Sequence, residues 1–309
     1  MATLRETASD SFTVGGYKLA SLLAQLTPGP LAYATARLVG FTASASLQSR
    51  RDIIERHIRR VRPDFTKREV RAAVQGAFDS YARYYVESFR LPGLPREVVD
   101  ATFTLDGFER VLEGLAGGRG VILALPHLGG WEWAGRWLAD QRHPITVVVE
   151  ALEPPELFEW FTDLRSNLGM NVVPLGDGVA GEILSALKKN HVVCLLCDRD
   201  IRGDGMSVEF FGESTTLPAG PVTLAFRSGA PVIPVGVYFT DRYNGHHAVV
   251  RPPLQLERSG RLRDDVAAGT QLLARELEFL IRRAPEQWHM FQPNWPSDPG
   301  YAEMRAGSN

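Results

Sequence analysis

Residues 121–137 read VILALPHLGGWEWAGRW, and this stretch indicates the class of fold. The unbroken apolar run at 121–125 is typical of a buried strand, and a proline ends it. Two glycines after His127 permit a tight turn, and helical character begins at Trp131. The stretch therefore predicts a strand, a turn and a helix, with His127 at the edge where parallel α/β sheets carry their chemistry.

Glu132 follows His127 by five residues, a spacing that limits how the two side chains can meet. On one continuous helix they would point about 140° apart and would not touch. If His127 lies in the turn and Glu132 in the first helical turn, the carboxylate can reach back to one imidazole nitrogen. The sequence then predicts a general base, because that nitrogen keeps its proton and the other accepts one from a substrate. The alternative is a histidine that caps the helix beside a surface acid.

The composition argues against several classes of protein. The chain has 309 residues, of which 44% are hydrophobic, so it can bury a sizeable core. A net charge of −2 is not that of a general nucleic-acid binder, which needs a clear basic excess. Cys194 and Cys197 lie three apart in an apolar run, which predicts reduced core residues rather than a redox pair or half of a zinc site. Residues 1–10 lack the basic start and apolar core of a secretion signal.

Two apolar segments near the amino terminus, Tyr17–Leu26 and Leu31–Phe41, flank a Pro-Gly-Pro break. Both are shorter than the roughly 20 residues that a transmembrane helix needs, and they predict a hairpin that packs on the protein or dips into a lipid interface. Residues 50–62 interleave arginine with aliphatic residues, which predicts either a solvated face or a contact to anionic headgroups. We predict a disordered tail at residues 1–13 and a membrane-contacting helical part at residues 14–92.

A long helix follows this basic segment. Thr66 and Glu69 have the spacing of a capping box, and Leu91 begins a Pro- and Gly-rich stretch that ends the helix at Arg90. Helical spacing predicts that its buried face consists of Val70, Val74, Phe78, Tyr81, Tyr85 and Phe89.

From residue 121 onward, segments typical of strands and of helices alternate. This order predicts an α/β fold with a mostly parallel central sheet wrapped by helices. Glu150 follows one predicted strand, as His127 does, and Asp198 and Arg199 follow another. Because parallel strands end at one edge of a sheet, these side chains are predicted to share a rim. The alternative for each charge is a surface ion pair worth less than about 1 kcal/mol.

Three further features are candidates for substrate contact. Arg165 lies on a predicted helix among apolar residues, which favours an inward-leaning guanidinium. Gly220 opens another predicted helix, whose free backbone N–H groups can bind an anion or an oxyanion, although most helix starts bind only water. Residues 288–295 are aromatic-rich and predict a core lid or, beside a lipid site, part of its wall.

Five ordered blocks of sequence carry a resemblance to a known family. They read PHLGGWEWAG at 126–135, CDRD at 197–200, FFGESTTLPAGP at 210–221, GAPVIPV at 229–235 and WHMFQPNW at 288–295. The chain resembles the lysophospholipid and lipid A acyltransferases, whose mark is a histidine, four residues and then Asp or Glu. It is most similar to the actinobacterial branch that acylates phosphatidylinositol mannosides.

The resemblance implies a glycerolipid acyltransferase-like α/β core, which we assign to residues 93–296, before a tail at 297–309. It implies a peripheral enzyme on the cytoplasmic face of the plasma membrane, with the inner-membrane surface as a partner. The enzyme would move a long-chain acyl group, palmitoyl, from acyl-CoA as co-substrate to a mannose hydroxyl of a glycolipid acceptor, without a cofactor or metal. The apolar groove for the chain is predicted at the hairpin and at Trp131, Trp133 and Trp137, for which ordinary helix-to-sheet packing is the alternative.

By the same resemblance, His127 is the general base and Glu132 its orienting partner. The resemblance also makes Glu150, Arg165 and Asp198 further site residues. Together with Arg199 at its strand end and Gly220 at its helix start, they are the residues predicted to bind substrate. Glu132 departs from the Asp expected in mycobacterial enzymes, which leaves the acceptor open: another glycolipid or a lysophospholipid would fit the same chemistry. An acyl-CoA thioesterase is a further alternative, although the chain has no G-x-S-x-G nucleophile elbow.

Overall fold

A seven-stranded sheet forms the centre of the protein in the computed structural model, which describes residues 23–150 and 155–306. The strands are β1 Phe103–Asp106, β2 Val121–Leu125, β3 Ile145–Val149, β4 Met170–Pro174, β5 Val192–Leu196, β6 Met206–Phe210, β7 Glu213–Leu217, β8 Val232–Phe239 and β9 His246–Val250. The sheet has the order β1-β9-β8-β2-β5-β3-β4, while β6 and β7 form a separate hairpin. The five strands from β8 to β4 run parallel, so the prediction of a mostly parallel sheet is confirmed.

Helices cover both faces of this sheet. They are α1 Gly29–Ser46, α2 Gln48–Val61, α3 Lys67–Arg90, α4 Arg96–Ala101, α5 Glu109–Ala116, α6 Trp131–Asp140, α7 Pro155–Asn167, α8 Val179–Lys188, α9 Gly220–Ser228, α10 Leu262–Arg282 and α11 Tyr301–Ala306, with 3₁₀ turns at Leu91–Gly93 and Pro285–Gln287. One apolar cluster joins the sheet to α4, α5 and α6, and another joins its opposite face to α8, α9 and α10.

Strand β2 carries His127 to the rim of the sheet. All five of its residues are buried, and it lies between β8 and β5. Leu125 is in register with Leu196 of β5, so the residues two positions beyond them, His127 and Asp198, leave the sheet side by side. Strand β3 pairs with the other side of β5 and runs parallel to it, which brings Glu150 to the same rim.

The two cysteines lie on opposite faces of β5 and its continuation, as their spacing predicts. Cys194 packs against the cluster beneath α6, and Cys197 belongs to the cluster beneath α8 and α9. Both are free thiols, and burial raises the pKa of Cys194 to about 12. Because the thiolate is the reactive form, Cys194 is inert near neutral pH.

Helix α3 begins with the predicted capping box. The Glu69 N–H donates to the Thr66 hydroxyl at 3.3 Å, and the Thr66 N–H donates to the Glu69 carboxylate at 2.8 Å. Val70, Val74, Phe78 and Phe89 are buried as predicted, but Tyr81 and Tyr85 are half-buried and line a cleft. Helical spacing identifies the face that turns inward, and only the packing decides which part of that face meets other residues and which part meets a cavity.

Strand β7 lies just ahead of the helix that Gly220 opens, in a segment for which the sequence patterns predict no strand. Residues 213–217 pair antiparallel with β6 across the two residues Phe211 and Gly212, whose φ angles are 52° and 77°. Two positive φ angles are the signature of a type I′ hairpin turn. Phe211 is an unusual residue for this position, so the sequence carries no ordinary hairpin signal.

Helix α1 buries its small residues and exposes its large ones. Ala32, Ala36 and Gly40 face the protein, and a Cβ at Gly40 would lie 2.8 Å from the Cα of Asp79 on α3. Four large apolar side chains of α1 are instead exposed: Leu31, Leu38, Val39 and Phe41. We call these four residues the apolar face of α1.

The described part of the predicted hairpin is α1 and a helical segment at residues 23–26, since the first predicted segment lies mostly outside the described residues. Within residues 23–150 and 155–306, the helices are too short or too polar to cross a bilayer. The cations of α2 mostly bind the protein: Arg60 pairs with Asp298 at 3.2 Å, and buried His57 contacts the same carboxylate at 3.1 Å. Helix α2 therefore offers fewer free cations to a lipid surface than its sequence indicates.

Residues 297–306, predicted as a tail, are anchored to the core. Asp298 is buried, and Asn294 N–H and Trp295 N–H donate to its carboxylate at 2.9 and 3.1 Å. Arg305 of α11 donates to the buried Asp200 carboxylate at 2.9 Å.

A buried cluster of charges joins α1 to the sheet. The Glu87 carboxylate of α3 accepts hydrogen bonds from the Tyr33 hydroxyl of α1 and, at 2.8 Å, from Arg83. His246 of β9 lies 2.9 Å from its other oxygen. Burial raises the pKa of Glu87, but His246 and Arg83 outweigh burial and lower it to about 2.

Glu87→Gln is expected to reduce the free energy of unfolding at pH 7 by roughly 3 kcal/mol, because it removes one partner of a buried charge cluster. The folded pKa lies below the unfolded one, so this contribution is present above about pH 5 and is lost as the pH falls toward 2. Urea unfolding at pH 7 and at pH 3 measures the difference, which should shrink at pH 3. Glu109→Gln, at an exposed acid on α5, is the control, and an equal difference at both pH values would contradict the assignment.

Candidate active site

His127 lies in the turn between β2 and α6, at the predicted rim. Gly129 in this turn has a φ of 60°, and a Cβ there would lie 2.2 Å from the carbonyl oxygen of Val237. Only glycine fits such a position without moving the backbone. The N–H of His289 donates to the His127 carbonyl at 2.7 Å and holds the turn from the other side. The His127 side chain remains 21% exposed and borders a large cleft.

Asp198 is the hydrogen-bond partner of His127. Imidazole Nδ1 lies 2.6 Å from Oδ1 of Asp198, and the backbone N–H of His127 donates to Oδ2 at 2.9 Å. The indole N–H of Trp288 donates to the same Oδ2 at 2.7 Å. Because a carboxylate only accepts, Nδ1 must carry the proton, and Nε2 is then the nitrogen that can accept one.

The environment of Asp198 keeps its carboxylate ionised. Burial raises the pKa of Asp198, but the adjacent His127 and the hydrogen bond from Trp288 outweigh burial and hold the pKa below its usual value. A buried carboxylate at this distance also stabilises the imidazolium that forms when Nε2 accepts a proton. The pair therefore has the geometry and the charge of a general base and its orienting acid.

Glu132 contacts Arg165 and Tyr84 rather than His127, which corrects the predicted pairing. Its Oε1 accepts from Nε and Nη2 of Arg165 at 2.9 and 2.6 Å and from the Tyr84 hydroxyl at 3.1 Å. The first turn of α6 aims this buried carboxylate at α3 and α7, and not back at the preceding turn. Burial lowers the pKa of Arg165, but Glu132 raises it above its usual value, so the guanidinium stays charged.

We call the contact of Glu132 with Arg165 and Tyr84 the Arg165 clamp. Aromatic rings connect this clamp to His127. Tyr84 stacks on Trp131 with ring centroids 4.2 Å apart, and Trp131 meets the imidazole edge-on at 5.6 Å. Trp131 thus lines the cleft, as predicted. Trp133 instead stacks on buried His246, which is ordinary helix-to-sheet packing. The Trp137 indole donates to Asp100, and its ring also lines an apolar cavity between α6 and the sheet.

The cleft beside His127 has a volume of about 950 Å³. Its walls include Arg165 of α7, the tyrosines of α3, and one side each of α8 and α9. Glu150, Arg199 and Gly220 also border it, as the sequence predicted. Glu150 and Arg199 form an ion pair at 2.5 Å, and Arg199 donates in addition to Gln292. Asp198 and Glu132 do not border the cleft themselves; they contact His127 and Arg165, which do.

Comparison with known proteins identifies the family to which this site belongs. The sequence profile described as bacterial lipid A biosynthesis acyltransferase matches residues 11–297. The chain belongs to that family. The phosphatidylinositol mannoside acyltransferases of Mycolicibacterium smegmatis and Mycobacterium tuberculosis (H37Rv) are 39% and 40% identical to it, over 73% and 72% of this chain and 73% and 70% of their own. A lipid A biosynthesis acyltransferase of Haemophilus influenzae is 29% identical over 59% of this chain and 55% of its own.

Membership in the lipid A acyltransferase family confirms the resemblance drawn from the five sequence blocks. It makes the protein an acyltransferase, whose reaction needs an acyl donor and a lipid acceptor. The histidine and the acid of the sequence motif, His127 and Glu132, do not contact each other here but have different partners. His127 pairs with Asp198, and Glu132 of the motif holds Arg165 at the wall of the cleft.

Sequence reasoning missed three residues of this acyltransferase site. Tyr84 donates to Glu132 and Trp288 donates to Asp198, and His289 packs beside the stacked rings of Tyr84 and Trp131. Burial, and His127 next to it, lower the pKa of His289 to about 3, so this ring is neutral while its Nε2 bonds to Ser80 at 2.8 Å. The aromatic block at 288–295 was the feature of the sequence that pointed to Trp288 and His289. Nothing in that block indicated that Trp288 donates to the carboxylate of Asp198.

Proposed function

We propose that this acyltransferase moves a long-chain acyl group, palmitoyl, from acyl-CoA to a mannose hydroxyl of a phosphatidylinositol mannoside. The names of the mycobacterial relatives support the acceptor. The single observation that carries the chemistry is the His127–Asp198 pair, which leaves imidazole Nε2 as a proton acceptor at the edge of a large cleft.

In the proposed reaction, Nε2 of His127 removes the proton of the mannose hydroxyl as its oxygen attacks the thioester carbonyl. Asp198 holds Nδ1–H and stabilises the imidazolium. The tetrahedral intermediate then expels the CoA thiolate, and the imidazolium returns its proton to that sulfur. The products are the ester and free CoA, and no covalent enzyme intermediate or cofactor is needed.

The oxyanion of the intermediate needs hydrogen-bond donors, and Arg165 is suited to supply one. Glu132 engages Nε and Nη2 of its guanidinium, and the remaining nitrogen, Nη1, lies outside that contact. Arg165 borders the cleft, and Glu132 with Tyr84 holds it in place. The backbone N–H groups at the start of α9, near Gly220, are the second candidate donors.

An apolar cavity behind the cleft is suited to hold part of an acyl chain. It has a volume of about 90 Å³, lies between α6 and the sheet, and shares Trp131 and Arg165 with the cleft. Gly135 and Met170 line its far side, and a Cβ at Gly135 would overlap the Met170 side chain. An acyl tail that passes Trp131 would enter this apolar space, which has almost no polar wall beyond Glu132 and Arg165.

We also propose that the protein works at the cytoplasmic face of the plasma membrane, held there by the apolar face of α1. Leu38 and Phe41 are each 63% exposed, and Leu31 is 59% exposed, although large apolar side chains are normally buried. Exposed large apolar side chains on one helix fit the boundary between headgroups and acyl chains. The acceptor would then reach the cleft from the lipid surface.

Leu38→Ser/Phe41→Ser is expected to weaken binding to phospholipid vesicles by tenfold or more, because it removes two of the four side chains of the apolar face. Cosedimentation with vesicles that contain phosphatidylinositol measures the change. Leu262→Ser is the matched control, since Leu262 is 52% exposed at the start of α10. Equal binding of the double variant and the parent would refute the proposed contact.

The reaction itself is tested with radiolabelled palmitoyl-CoA, with and without purified phosphatidylinositol dimannoside. The proposal requires labelled acylated acceptor, and little loss of palmitoyl-CoA when the acceptor is absent. Rapid hydrolysis without acceptor would identify a thioesterase. Transfer to a lysophospholipid or another glycolipid, but not to the dimannoside, would show that the proposed acceptor is wrong.

A further inference from the structure

Four cations lie at the edge of the sheet opposite the rim that carries His127. Strands β8, β2 and β5 are parallel neighbours, so the turns that precede them share one edge. Arg119 precedes β2, and Lys188 and Lys189 precede β5. Arg227 lies in the last turn of α9, before β8. We call Arg119, Lys188, Lys189 and Arg227 the basic edge.

Contacts between these turns bring the basic edge together. The Gly120 N–H donates to the Asn190 side chain at 2.8 Å, and a Cβ at Gly120 would lie 3.0 Å from the Leu187 side chain. On the other side, a Cβ at Gly229 would lie 3.0 Å from Nη1 of Arg119. The turn that carries Arg119 therefore touches the carboxyl ends of both α8 and α9.

The cations of the basic edge differ from those of the cleft in their surroundings. All four side chains are exposed, and within residues 23–150 and 155–306 none of them lies within ion-pair distance of an acid. The cleft arginines Arg165 and Arg199, by contrast, each pair with a glutamate. Unpaired cations that are held close together repel one another, and a polyanionic ligand would relieve that repulsion.

The cleft extends from His127 toward this edge. Its lower part is a groove whose walls are Val179 and Ile183 of α8 and Thr223 and Leu224 of α9, and Arg227 borders it. Arg227 lies seven residues after the first residue of α9, which is roughly 10 Å along the helix axis. Side chains on a helix lean toward its amino terminus, so Arg227 leans along the groove toward the rim.

We propose that the basic edge binds the phosphate groups of a nucleotide thioester donor, with the pantetheine arm in the groove between α8 and α9. This inference rests on the proposed function, in which the donor is acyl-CoA. From its bond lengths, an extended pantetheine arm places the thioester sulfur roughly 15 Å from the diphosphate. This length is enough to run from the rim, along the roughly 10 Å of α9, to a point just past Arg227. The amphipathic arm is suited to the apolar walls of the groove. The phosphates of the nucleotide can accept charge-assisted hydrogen bonds from Arg and Lys.

The test compares Arg227→Ala and Arg227→Glu with the parent. The KM for palmitoyl-CoA is expected to rise about tenfold in the alanine variant and further in the glutamate variant, with kcat within twofold of the parent. With S-palmitoyl-N-acetylcysteamine, a donor without phosphate, kcat/KM is expected to be unchanged. Arg275→Glu, which makes the same charge change at an exposed position of α10, is the control and should leave both donors unaffected.

Three kinetic outcomes would overturn the inference. One is an equal effect of Arg227→Glu on both donors, and another is an unchanged KM for palmitoyl-CoA. The third is a rise in the KM of the lipid acceptor alone, which would mean that Arg227 reads the phosphodiester of the acceptor. Binding of free CoA, measured by calorimetry, does not depend on acyl transfer. Binding by Arg227→Glu that is at least tenfold weaker than by the parent supports the inference even if the proposed acceptor is wrong. Equal binding by the variant and the parent refutes the inference.

Discussion

Replacing His127 with alanine is expected to lower kcat for acyl transfer toward the upper end of the roughly 10²–10⁴-fold range for a lost general base. The variant retains the cleft and the Arg165 clamp, but nothing at the position of Nε2 can take the proton of the acceptor hydroxyl. Initial rates of labelled palmitate transfer at saturating donor and acceptor measure the loss. The KM values should change little, since the imidazole serves the chemical step more than the binding of either substrate.

A matched control separates this effect from a loss of structure. His143→Ala removes a half-buried histidine that packs on Phe108, outside the cleft, and should transfer at nearly the parental rate. His127→Ala should also bind palmitoyl-CoA and unfold in urea much as the parent does. A folded His127→Ala protein that transfers palmitate as fast as the parent would exclude His127 as the base.

Asp198→Asn is the second large effect, with an expected fall in kcat of roughly 10³–10⁴-fold. The asparagine amide can donate to Nδ1, which favours the imidazole tautomer with its proton on Nε2 and removes the acceptor that faces the substrate. The ionised carboxylate that stabilises the imidazolium is lost as well. Steady-state kinetics with both substrates, together with urea unfolding, measure the change.

Glu132→Gln is the comparison that decides which carboxylate orients His127. This variant weakens the hold on Arg165, and a smaller loss of roughly tenfold in kcat is expected, since Arg165 keeps its other contacts and its charge. If Glu132→Gln instead loses far more activity than Asp198→Asn, the pairing predicted from the sequence is the right one. If Asp198→Asn and Glu132→Gln both lower kcat only slightly and to the same extent, neither carboxylate orients His127.

The sequence was sufficient for the parts of this site that are local in the chain. The strand, turn and helix around His127 follow from an apolar run, a proline and two glycines, and they occur at residues 121–140 as expected. The alternation of strands and helices was likewise enough to predict that Glu150 and Asp198 come off the same rim as His127. Each of these inferences rests on backbone geometry over a few residues, which the chain encodes directly.

The sequence by itself thus determined the position of His127 at the rim, the parallel sheet beneath it and the family. Only the tertiary structure decided which acid faces His127, because Asp198 lies 71 residues away and register alone brings it within 2.6 Å. The nearer acid, Glu132, has the right spacing, but the first turn of α6 points it at Tyr84 and Arg165. Spacing along a chain limits where a side chain can reach, and the packing of distant elements decides what it meets there.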